Sequence, residues 1–166
     1  MSQSQVTFRA ATVPDEYMPP LWHQLPQLAR RVPGRPWTVA FATVPMILLH
    51  CPYPTPGGHD TPGGIMAVVG WPDGSSDGKP ITGMAEALRP FLPCDERPLS
   101  PALDRVRFFY RGGLATIRSV SQPMAFCRLS GRWFVREGMH RAIALALLRV
   151  EQWEALDLDS IVQHAA

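Results

Sequence analysis

At 166 residues, with 46% apolar and 18% charged side chains, the chain has the length and make-up of one globular domain with a real core. Three widely spaced cysteines, Cys51, Cys94 and Cys127, form no C-x-x-C pair and read as reduced thiols in a cytoplasmic protein. No basic start followed by an apolar core marks a secretory signal, and the longest apolar run, AIALALL (142–148), is far too short to span a bilayer.

The net charge of +2 is unevenly placed. Residues 97–141 hold nine basic and two acidic side chains, whereas the segments on either side are net acidic. An anionic ligand at that block is physically reasonable, and so is a solvated arginine face.

Residues 1–36 are rich in proline and read as an N-terminal arm laid on a single domain spanning 37–166, with a short helix around 21–31. WTVAFATVPMILLH (37–50) carries the first strong β signal, and IMAVVGW (65–71) reads as a second, buried strand. The segments between and after them, 51–64 and 72–80, are loops by composition. A short helix is expected at 83–88, ending before Pro90. A longer one should start at Ser100-Pro101 and stop at Gly112-Gly113. PMAFCRL and RWFVR flank Ser130-Gly131, the signature of a two-residue hairpin. A helix then runs from Met139 to about Arg149, followed by a short strand at 155–158 and a weak terminal turn or helix. The whole predicts a mixed α+β domain.

The chemistry concentrates where the second hairpin strand meets that helix, at Glu137-Gly138-Met139-His140-Arg141. A helix start offers unpaired N–H groups and the positive end of a dipole. Gly138 lacks a Cβ that would keep a bulky anion from the backbone. His140 and Arg141 add positive charge where it is unfavourable for the helix alone, which a bound phosphate would offset. The alternative is that both side chains bond to nearby carboxylates or strand carbonyls, and that Glu137 makes a salt bridge with Arg136 or Arg141.

Gln122-Pro123, the Ser130-Gly131 hairpin, the run Glu137–Arg141 and the small residues Ala142 and Ala144 together resemble the ParB/sulfiredoxin-like superfamily over residues 117–159. The resemblance implies a small mixed sheet with packed helices and a nucleotide-phosphate site at Gly138, Met139, His140 and Arg141. It implies ATP, ADP or CTP with Mg²⁺ as ligand, and Glu137 as the acid that positions a metal or nucleophile in the members that transfer phosphate. Met139 stands where sulfiredoxins carry their cysteine, which excludes that activity, and the arginine-rich ParB form of the motif is absent. The expected function is thus nucleotide or phosphate binding, as a nucleotide-dependent phosphotransferase. Alternatives are a non-catalytic nucleotide- or nucleic-acid-binding regulator acting through the arginine-rich block 97–141, or a degenerate scaffold that binds a protein partner through the proline-rich half.

Other motifs are weaker. GSSDGKP (74–80) fails the phosphate-loop spacing. His50, Cys51, His59 and Asp60 match no standard zinc module, so no metal site is expected. Trp71, Trp133 and Trp153 read as core, and Arg105, Arg107, Arg111 and Arg118 as groups able to follow a nucleic-acid backbone.

Overall fold

The structure, a computed structural model, describes residues 8–13, 37–51, 78–92 and 101–163. Six strands form one mixed sheet: β1 (Phe8–Val13), β2 (Trp37–Pro45), β3 (Leu49–His50), β4 (Ala125–Leu129), β5 (Arg132–Glu137) and β6 (Gln152–Gln163). Their spatial order is β1-β2-β6-β4-β5-β3. Among the described residues three α-helices accompany them: α1 (Ile81–Leu88), α2 (Pro101–Ser119) and α3 (Met139–Leu147). The α+β expectation holds at this level.

The sheet is organised by one local event. Ser130 (φ 51°) and Gly131 (φ 75°) both take positive φ, as a tight primed turn requires, so β4 and β5 pair antiparallel with Phe126 opposite Val135. The chain then leaves β5 through α3 and returns as β6, which lies parallel to β4. β2 joins β6 antiparallel, with Ala42 opposite Ala155. Phe8–Val13 pairs antiparallel along β2. The helix expected at 21–31 and the strand expected at 65–71 lie outside the described residues.

Strand alternation sends Ala42, Val44, Phe126, Val135 and Ala155 into the cluster that also holds α3. Val39, Cys127, Phe134, Leu156 and Leu158 alternate with them and are buried too. The short helix α3 sits in the middle of this core, between α1 and α2. Arg141 to Leu147 are all buried, and three alanines among them let the helix lie close to the sheet. Trp133 stacks on Phe126 (centroids 5.0 Å apart) and Trp153 packs half-buried against the cluster, as expected of core tryptophans. Trp71 lies outside the described residues.

Four boundaries differ from the sequence reading. The 37–50 run is not one strand: Pro45 ends β2, a 3₁₀ turn occupies Met46–Leu48, and β3 is two residues long. α1 begins two residues earlier than expected and passes into a 3₁₀ turn (Arg89–Phe91) that contains Pro90. α2 does not stop at Gly112-Gly113. Gly113 leaves helical geometry (φ 68°, ψ −163°) and the chain then resumes helical turns to Ser119, so the glycine makes a kink instead of an end. β6 runs for twelve residues where a short strand and a terminal turn or helix were expected; pairing to both β2 and β4 overrides its mixed composition.

The end of α3 carries a testable oddity. Arg149 N–H donates to Ala146 O and Val150 N–H to Leu145 O, the double bond of a Schellman cap, with Arg149 at φ 62° in the place usually taken by glycine. A non-glycine there costs about 1 kcal/mol. Its exposed ion pair with Glu86 (2.9 Å) returns only a fraction of that. Arg149→Gly is expected to raise the thermal midpoint by a few degrees in a calorimetric scan, and a lowered midpoint would mean that the ion pair dominates.

Candidate site at the start of helix α3

β5 must turn sharply to enter α3, and Gly138 makes the turn in the left-handed region (φ 88°, ψ 31°). The room left by its missing Cβ is already filled. A Cβ built there would lie 2.7 Å from Met124 Cγ and 3.0 Å from an Arg141 terminal nitrogen. The glycine therefore serves close packing within the chain, and the expectation that it clears a path for an anion to this side of the backbone is corrected. Met139 turns its side chain toward the core, so its backbone is the only polar part it can offer. No side chain caps the helix start, and the first intrahelical bond is Ala142 N–H to Gly138 O.

His140 is half-buried in the first turn. Burial, reinforced by the positive Arg105 on α2, pushes its imidazole down to about 4. At neutral pH it is uncharged, so it enters as a neutral ring that can donate or accept one hydrogen bond.

Arg141 is 6% exposed and holds the turn together. One terminal nitrogen donates to the Gln122 carbonyl at 2.6 Å, and the other lies 3.9 Å from Glu137 Oε1. Burial pulls its guanidinium below the usual arginine range, and Glu137 acts against that shift. The structure thus contains the alternative that the sequence left open, a strand-end carboxylate and a nearby carbonyl as partners. A guanidinium has five N–H donors, however, and these two contacts do not exhaust them.

Around these groups lies a cavity of about 350 Å³, lined by Arg105, Phe108, Phe109, Gln122, Glu137, Gly138, His140 and Arg141 among others. Arg105 and Phe108 come from α2, one turn apart, and sequence reasoning did not attach them to this site. The signal was present as the i, i+3 spacing of a cation and an aromatic, but only the packing of α2 beside α3 brings them to the turn. Arg105 is exposed and takes part in no salt bridge found among the described residues, and Phe108 is 62% exposed.

Much of the arginine block is used inside the fold. Arg107 pairs with Asp104 at 2.7 Å, and Arg136 donates to Cys127 Sγ. Arg128 binds Asp157 at 2.9 Å while lying 4.7 Å over Trp133. Arg105, Arg111 and Arg118 are all exposed on α2, but Arg118 lies beyond the Gly113 kink, over the Trp153 ring. Among the described residues no three His, Cys, Asp or Glu side chains converge as a metal would require. His50 instead approaches the Leu48 carbonyl through Nδ1 at 3.0 Å, and Cys51 is buried; His59 and Asp60 lie outside the described residues. Nor is any described helix long and apolar enough to cross a membrane.

Comparison with protein-family models, with curated proteins and with solved structures finds no match.

Proposed function

We propose that the turn Glu137–Arg141 binds a phosphate group, carried by a nucleotide such as ATP, ADP or CTP, in a ParB/sulfiredoxin-like arrangement. The observation that supports this reading best is the 350 Å³ cavity in which two guanidiniums, Arg105 and Arg141, and one imidazole meet an uncapped helix start, with Glu137 the one carboxylate among them. Arg105 and Arg141 supply the positive charge. His140 donates one hydrogen bond, and the helix N–H groups receive the remaining phosphate oxygens. A cavity of this size takes a phosphate with part of its sugar, leaving the base toward the exposed ring of Phe108. Any Mg²⁺ would arrive on the nucleotide, with Glu137 the nearest carboxylate. Phosphoryl transfer, with Glu137 as the assisting acid, is the enzymatic form of this reading, in a cytoplasmic setting.

The test follows His140. A dianion beside the ring favours its protonated form, so the imidazole midpoint, read by NMR, should climb from about 4 when Mg²⁺ and nucleotide are added. Arg105→Gln should weaken binding about tenfold, a loss on the order of 1.4 kcal/mol. A midpoint that stays in place at saturating ATP, ADP, CTP and inorganic phosphate would remove the proposal. A nucleotide that binds should then be tested for turnover, with Glu137→Gln as the variant that separates binding from transfer.

A second reading draws on the part of α2 before the Gly113 kink, where the exposed residues Arg105, Phe108 and Arg111 recur every three positions. Cations interleaved with an aromatic suit a single-stranded nucleic acid. Binding of a short oligonucleotide that falls steeply with salt would favour it.

A further inference from the structure

A larger cavity, of about 840 Å³, opens on the other side of the Val120–Gln122 link. It exists because of the kink in α2. The turns after Gly113 swing Leu114, Ile117 and Arg118 over the start of β6, where Trp153 waits on the strand. Arg118 lies over the Trp153 ring, its guanidinium carbon 5.4 Å from the centroid, so cation and aromatic wall are arranged before any ligand arrives. Leu114, Ile117, Met124 and Val150 give the cleft an apolar floor. At its inner end lies Arg141, whose side chain is 7% exposed and which also lines the smaller cavity. Among the described residues of the lining the one carboxylate, Glu154, is exposed and already engaged in another interaction.

This volume falls in the range of small-molecule sites, and so does the pattern of an apolar floor with a few convergent polar groups. The charge within it is positive. Arg141 is a buried cation whose contacts are one carbonyl at 2.6 Å and one carboxylate at 3.9 Å, and burying such a group is costly unless more of its donors are met. We infer that the cleft binds a small organic acid, its apolar or aromatic body on the Leu114–Ile117–Val150 floor beside Trp153 and its carboxylate met by the guanidiniums of the lining. This goes beyond the phosphate reading of the turn and stands without it.

The probe is 2-naphthoate, measured by calorimetry on the full chain, with 2-naphthylmethanol as the neutral analogue of the same shape. The acid should bind saturably and at least tenfold tighter than the alcohol. Arg118→Gln, an exposed substitution that leaves the core intact, should weaken the acid at least fivefold. Leu114→Trp, which fills the cleft, should abolish binding of both compounds. Arg105→Gln lines only the smaller cavity and should leave naphthoate affinity unchanged, which separates this site from the turn. Equal affinity for acid and alcohol, or naphthoate binding indifferent to both Arg118→Gln and Leu114→Trp, would overturn the inference.

Discussion

Gly138→Ala is expected to cost about 2–5 kcal/mol, measured as a shift in denaturant midpoint at constant slope. Two separate penalties add. The left-handed φ of 88° costs an alanine about 1–2 kcal/mol. The new methyl then meets Met124 Cγ at 2.7 Å and must push it, or Arg141, out of place, for another ~1–3 kcal/mol of overpacking. The pairing of Gly138→Ala with Met124→Ala tests the division. The smaller side chain removes the clash and leaves the strain, so the double variant should lose less than the sum of the two single changes. Full additivity would mean that Met124 is not what confines the position.

The second large effect is acid lability. The folded chain keeps His140 neutral down to about pH 4, whereas the unfolded chain protonates an ordinary histidine near 6.5. Between these values the unfolded state binds more protons, so stability falls as pH falls, from no loss above about 6.5 to its full loss near 4. A gap of this size is worth on the order of 3 kcal/mol. His140→Asn should flatten that part of the stability–pH curve relative to wild type. Arg105→Gln should flatten it less, because burial is the main cause and Arg105 the lesser one. If wild type and His140→Asn lose stability in parallel between pH 6.5 and 4.5, the imidazole is not held neutral.

These effects mark how far the sequence could be read. The hairpin and α3 were legible because their signals are local: Ser130-Gly131 dictates a primed turn, and seven apolar residues in a row dictate burial. The turn between them was legible for the same reason, as a glycine followed by two donor side chains at a helix start. What those side chains do was not. His140 is neutral because of burial and of Arg105, which α2 brings from elsewhere in the chain. Arg141 is held in place because the Gln122 carbonyl and Glu137 converge on it, a fact of packing that no spacing rule contains. The two glycines at 112–113 carry the usual mark of a helix end, yet one left-handed residue lets α2 bend and continue. The extent of β6 was hidden because its partners on both sides, β2 and β4, decide its length.

Burial of α3 from Arg141 to Leu147 has a consequence for exchange with solvent. A helix enclosed by sheet and by two other helices has no cheap local opening, so amides in its body, 143–147, should exchange only when the whole domain opens. Their exchange rates then read the global free energy directly. A ligand that holds the native state, whether at the turn or in the cleft behind it, should slow all of them by one common factor, set by its concentration relative to its Kd. Deuterium uptake along this one helix would thus serve as an affinity scale for a ligand at either site.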